Sequence, residues 1–111
     1  FLKKKRENKP LTVTGNGQQS RSFVYIEDSI NALIKAAKSN ISNEIFNVGA
    51  EKSIKIIQIA KLLNSKIIFL PSRKGDPKYS NASIKKIKKV LNWRPKISIK
   101  KGISITSAKI N

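Results

Sequence analysis

The chain has 111 residues, room for one small domain with a modest buried fraction, and carries 24 lysines and arginines against 6 acidic residues, a formal net charge of +18. It contains no cysteine and no histidine, which excludes disulfides, thiolate metal sites and the commonest metal ligand and general base, so no metal is expected. No apolar run approaches the roughly 20 residues of a membrane span, and the basic start FLKKKRENKP lacks the apolar core of a signal peptide, so a cytoplasmic protein without a membrane partner is expected.

The positive charge would suit a polyanion such as nucleic acid. Its excess is nearly all lysine, scattered with isoleucine and asparagine through every segment, which reads first as the substitution bias of an AT-rich coding sequence. Aromatics, at 6%, are too sparse for base-stacking platforms, so nucleic acid is not the expected partner. With no methionine at position 1 or elsewhere, the chain is expected to begin inside a longer protein.

Residues 1–10 read as the tail of a helix and a charged connector, with Pro10 stopping the helix near Asn8. Leu11–Thr14 alternates and is β-prone, so it predicts a strand running into the turn Gly15-Asn16-Gly17. Phe23-Val24-Tyr25-Ile26 predicts a short buried strand, and Asp28 is suited to cap a helix reaching about Ser39, with Ile30, Leu33, Ile34 and Ala37 on one face. Glu44 to Gly49 predicts another strand.

Ser53 is a good N-cap for a helix from Ile54 to Asn64 with a broad apolar stripe. Lys66–Leu70 predicts a strand covered on both faces, ended by Pro71. Ser72–Tyr79 is a loop by its Gly, Asp and Pro content; Ser83 caps a helix from Ile84 to Leu91, and Ser98 opens a last helix. Trp93 reads as a packing residue, and Asn47 and Gly49 as shapers of a strand end. The fold class is α/β, mixed α+β, with short strands alternating with about four helices.

Arg21 lies between the glycine turn and the expected strand, where a planar fork of donors can grip an anion. From spacing alone, an ordinary turn with a solvated arginine fits equally well. The pattern Gly15, Gly17, Gln19, Arg21, Phe23, Tyr25, Ile26, Asp28 resembles the start of the substrate-binding part of the NAD-dependent nucleotide-sugar epimerases and dehydratases, the extended short-chain dehydrogenase/reductases that include UDP-glucose 4-epimerase. A second run, Arg73, Gly75, Asp76, Pro77, Ser83, Lys86, Leu91, Trp93, Pro95 and Gly102-Ile103, resembles the end of the same family. Ser22 and Ser83 stand where that family often has aspartate.

The resemblance implies that Arg21 and Arg73 contact the diphosphate of a nucleotide sugar, a UDP-hexose, and that Asp76 accepts bonds from ribose hydroxyls. The Leu11–Thr14 strand would lie near the base, with Gln19 and Tyr25 as further substrate-binding candidates. Residues 1–10 would then be a connector from an N-terminal Rossmann domain that binds NAD, and residues 11–111 the nucleotide-sugar-binding domain. NAD in the parent enzyme would oxidise a sugar hydroxyl and later return the hydride; the complete enzyme could also pair as a homodimer.

Gly15-Asn16-Gly17 is not the dinucleotide fingerprint, since a third glycine and an ensuing helix are missing, and neither Tyr25 nor Tyr79 has a lysine four residues on. The chain alone is therefore expected to be inactive and to bind no NAD. Two alternatives stay open from sequence: a small basic nucleic-acid-binding module, and a truncated, non-functional paralogue.

Overall fold

In the computed structural model, which describes residues 1–110, the elements run α1 (Leu2–Arg6), β1 (Leu11–Thr14), β2 (Ser20–Arg21), α2 (Ile26–Lys38), β3 (Ile54–Lys55), α3 (Ile56–Leu62), β4 (Ile67–Leu70), β5 (Tyr79–Ser80), α4 (Lys85–Leu91) and α5 (Ile99–Ile110). β1 pairs in parallel with β4, Leu11 opposite Ile67, while β2 is the middle strand of a small sheet, antiparallel to β3 and parallel to β5. Two short sheets and five helices make the mixed α/β class expected from sequence.

There are two small cores. One gathers Leu11, Val13, Ala60 and Leu63, so the apolar stripe of α3 lies on one face of β1, with Ile67 and Ile103 at its margin. The other gathers Ala32, Ile84, Ile87, Leu91 and Trp93, where α2 meets α4 and the segment after it.

Asp28 joins the second core to the last helix. It was expected to cap α2, but the helix already begins at Ile26 behind an extended Tyr25, which places Asp28 in the first turn, buried. Its carboxylate accepts the Ile97 amide at 2.9 Å, and its carbonyl accepts the Trp93 indole N–H at 3.0 Å. The carboxylate therefore serves the incoming Trp93–Ile97 segment instead of its own helix. Gly102 of α5 lies close beneath the Tyr25 ring; a Cβ there would come within 3.1 Å of it. Ser98 caps α5 as expected, its Oγ accepting the Lys101 amide.

Several local expectations fail for one shared reason: apolar, strand-prone segments find no partner within this chain. Phe23–Tyr25 is extended but unpaired, because the ladder of β2 runs out after Ser22 donates to the Ser80 carbonyl. Glu44–Gly49 is irregular, and Ile45 is 84% exposed. β4 was expected to be covered on both faces, yet Ile68, Phe69 and Leu70 are exposed. The large apolar side chains of α2 turn outward, with Leu33 68% and Ile26 62% exposed, while Ala32, Asp28 and the half-buried Ala36 face the core. Lys35 reaches the Leu91 and Asn92 carbonyls at the α4 C-terminus.

Two helix starts also differ. Ile54–Lys55 is taken by β3, so Ser53 is not a cap; Gln58 instead accepts the Lys55 amide. α4 begins behind the buried Ile84, and the Ser83 carbonyl accepts from the Asn47 side chain.

The result is a slab of 48 × 34 × 17 Å with a radius of gyration of 16.2 Å, against about 13 Å for a compact domain of this length. Its accessible surface is 8099 Å², against about 6,100 Å² for a monomer of this mass. No helix among the described residues is long and apolar enough to cross a membrane.

Replacing Asp28 by alanine strands the Ile97 amide and is expected to cost about 1–3 kcal/mol in urea unfolding, with Asp28→Asn costing less because it keeps an acceptor. The Glu51 carboxyl is held below its usual range by the hydrogen bond and charge of Lys88. A depressed carboxylate favours the folded state above its unfolded pKa and loses that contribution as pH falls through the folded value. Lys88→Gln should return the Glu51 midpoint upward to the ordinary range in an NMR pH titration.

Candidate functional site

Between β1 and β2 the chain turns through Gly15 (φ +61) and Gly17 (φ +71), both in the region glycine favours. Gly17 is wedged in place: a Cβ on it would meet Ile57 Cβ and Val13 Cγ1 at 2.8 Å each. Its carbonyl accepts the Ile57 amide, and that of Gln19 accepts the Ile56 amide, so the first amides of α3 are spent on the turn. The Asn16 side chain closes the turn by accepting the Gln18 amide at 3.0 Å.

Facing this turn is the loop that leaves β4. Gly15 donates to the Leu70 carbonyl, and Ser72 lies 3.5 Å from where a Gly15 Cβ would be. The loop folds back at Gly75 (φ +84), the Asp76 amide bonding to the Arg73 carbonyl, before Lys78 leads into β5. Turn and loop enclose an open groove of about 390 Å³, lined by Gln18, Gln19, Arg73, Asp76 and Lys78 over a floor of Thr14 to Asn16.

Arg21 is bonded to the loop beside this groove. Because β2 pairs in parallel with β5, its side chain reaches the loop just before β5. Nη1 donates to the Ser20 and Pro77 carbonyls, each at 2.8 Å, and Nη2 donates to Asp76 Oδ1 at 2.7 Å. Gln19 Nε2 donates to the Thr14 carbonyl at 3.0 Å, bracing the turn from inside.

Of the residues singled out by sequence, Gln19, Arg73 and Asp76 line one groove, and Arg21 is bonded to Asp76 of that lining without lining the groove itself. Tyr25 is not with them; it lines a smaller cavity with Leu2 and Ile103, its ring packed on Gly102. The groove also holds Lys78 and Gln18, which sequence reasoning passed over although Lys78 lies in the same SRKGDPKY loop. The arrangement offers cationic and amide donors around an open space, with one carboxylate already paired to Arg21.

A second concavity, about 370 Å³, lies between Phe23, Ala50–Lys52 and Pro95–Ile99. It contains none of the expected substrate-binding residues, and its carboxylate, Glu51, is paired with Lys88. No cluster of metal-ligating side chains occurs among the described residues. Nor do the glycines make a dinucleotide cradle: the turn leads into β2 instead of a helix, and Gly17 is packed shut by Ile57 and Val13.

Comparison with known proteins gives a consistent result. Residues 1–49 match the NAD dependent epimerase/dehydratase family. The chain is 39% identical to the UDP-glucuronate 4-epimerase of Thermodesulfobacterium geofontis, over 96% of this chain and 35% of that protein. It is 32% identical to UDP-glucuronic acid decarboxylase 1 of Danio rerio, over 96% of this chain and 27% of that protein. Among solved structures it superposes on UDP-glucose 4-epimerase from Thermotoga maritima, crystallised with UDP-glucose, with a TM-score of 0.92 and 28% identity, covering 99% of this chain and 37% of that one. It likewise superposes on UDP-glucuronic acid 4-epimerase from Bacillus cereus in complex with UDP-glucuronic acid and NAD, with a TM-score of 0.90 and 31% identity, covering 98% and 37%. The chain therefore spans about a third of the length of these relatives.

Gly17→Ala is expected to lower stability by about 1–3 kcal/mol, since a methyl meets Val13 and Ile57 in a backbone conformation it disfavours. Its amide spectrum should change from Thr14 to Arg21 while α4 and α5 stay as they are.

Proposed function

For a chain related along nearly its whole length to the NAD-dependent nucleotide-sugar epimerases and dehydratases, we propose the role of the nucleotide-sugar-binding portion of such an enzyme, with a UDP-sugar as substrate. The observation that supports this reading is the groove beside the Gly15–Gly17 turn, lined by Arg73 and Asp76, with Arg21, 52 positions before Arg73 in sequence, bonded to Asp76 of that lining. Two guanidinium groups on separate loops can hold one diphosphate by charge-assisted hydrogen bonds and so fix the sugar in space. Lys78 adds a third cation at the rim. The nucleoside would extend along Thr14 and Gln19.

NAD, in this reading, is held by protein outside these 111 residues, and supplies the redox chemistry of the complete enzyme. What this chain contributes is binding and orientation. The outward apolar face of α2, the unpaired Glu44–Gly49 segment and the bare side of β4 fit a surface that packs against that NAD-binding part. Residues 1–10 would connect the two.

The net charge of +18 favours one competing reading, a basic nucleic-acid-binding module. Salt separates the two, because binding to a phosphate backbone collapses between low and moderate ionic strength, whereas a clamp with nucleoside contacts keeps its preference for UDP over free phosphate.

In an amide-resolved NMR titration, UDP is expected to shift residues 15–21 and 73–78, and Arg21→Ala and Arg73→Ala should each weaken binding by about tenfold or more, the loss of a charged hydrogen-bonding partner. Shifts confined to the lysine-bearing α4 on adding a DNA duplex, with no response to UDP, would refute the clamp.

A further inference from the structure

The turn beside the groove carries a reactive step. Asn16-Gly17 is the only Asn-Gly pair in the chain; each other asparagine that is followed by a residue precedes one with a side chain. Such a side chain crowds its own amide nitrogen, whereas glycine leaves that nitrogen open to approach. We propose that Asn16 is a self-modification site: the Gly17 amide displaces the Asn16 side-chain nitrogen, giving aspartate and isoaspartate, and the isoaspartate unseats Gly17.

Asn16 is exposed and lines the open groove, so water reaches it. Its Oδ1 accepts the Gln18 amide at 3.0 Å, a bond that curls the side chain back across the intervening Gly17 peptide. The same N–H faces the oxygen on which negative charge grows as the nitrogen attacks, which is the part an oxyanion hole plays. The Gly17 amide donates to no acceptor among the described residues.

Hydroxide removes the Gly17 amide proton, the nitrogen bonds to Asn16 Cγ, and the Cγ–Nδ2 bond breaks, releasing ammonia with a proton taken from water. Water then opens the cyclic imide. Breaking the bond from nitrogen to Cγ gives aspartate; breaking the bond from nitrogen to the backbone carbonyl carbon gives isoaspartate, whose main chain runs through Cβ and Cγ. Nothing is oxidised or reduced.

The two products act differently on the turn. Aspartate keeps an oxygen that can accept the Gln18 amide. Isoaspartate lengthens the main chain just ahead of Gly17, which is seated so closely that a carbon added to its Cα would lie 2.8 Å from both Val13 and Ile57. Gly17 then leaves its seat, and the carbonyls of Gly17 and Gln19 leave the Ile57 and Ile56 amides at the start of α3. Lengthening the backbone loosens the turn, and added charge alone does not. This holds whichever ligand the groove takes.

The experiment incubates the 111-residue chain over a series of mildly alkaline pH values, folded and in urea, beside Asn16→Asp and Asn16→Gln. Conversion is followed by peptide-mapping mass spectrometry and enzymatic methylation of isoaspartate, and the turn by amide-resolved NMR. In the folded chain Asn16 is expected to convert at a rate that rises with hydroxide concentration, while the other asparagines keep their amides over the same period and Asn16→Gln gives no methylation at this position. The aged chain should show second amide signals for Val13, Gly17, Gln19, Ile56 and Ile57, and fresh Asn16→Asp should lack them. An Asn16 amide that survives in the folded chain while it converts in urea would overturn the proposal, since the fold would then protect the site. Second signals already present in fresh Asn16→Asp would overturn it in favour of a charge effect.

Discussion

The close seating of Gly17 between Val13 and Ile57 is the constraint on which the rest of the groove depends. A residue with a side chain would not fit, and the positive φ there lets the backbone reverse from β1 into β2 within a few residues. From that reversal follow the docking of the α3 N-terminus on the turn, the position of β2 between β3 and β5, and the delivery of Arg21 to the loop after β4. Local backbone geometry thus fixes where the turn, β2 and the Arg73–Lys78 loop meet.

The second feature of the molecule is its distribution of apolar surface. Two small cores stabilise the fold, one under β1 and one under α2, and the Asp28 contacts to Trp93 and Ile97 join α2 to the approach of α5. Outside those cores the largest side chains of α2 and β4 remain in solvent. An accessible area about a third above that of a compact monomer is what such faces produce. It accords with a chain that spans about a third of the length of its relatives and is proposed to pack against the remainder. The high net charge helps keep such a surface soluble.

Much of the fold was legible in the sequence where structure is decided locally. β1, the glycine turn, the stripe of α3 and the Ser98 cap follow from residues adjacent to one another and stand as read, while the expected Ser72–Tyr79 loop gives up Tyr79 to β5. The failures are nonlocal. Phe23–Ile26 and Glu44–Gly49 carry strand-like composition, but a strand needs a neighbour, and among the described residues they have none. The periodicity of α2 identified an apolar face correctly and could not say that it turns away from the core. At the groove, Arg73 and Asp76 stand among the residues named from motif resemblance; the pairing of Arg21 with Asp76 was not legible, because it depends on β2 and β5 lying parallel. Tyr25, adjacent in the motif, is carried to the other side by the start of α2.

The most direct measurement is a crystal structure of the chain with UDP. The account requires the diphosphate in the groove between the Gly15–Gly17 turn and the Arg73–Lys78 loop, its oxygens on Arg21 and Arg73. UDP lodged instead beside Phe23 and Ile97, or held by surface lysines with the groove empty, would contradict it.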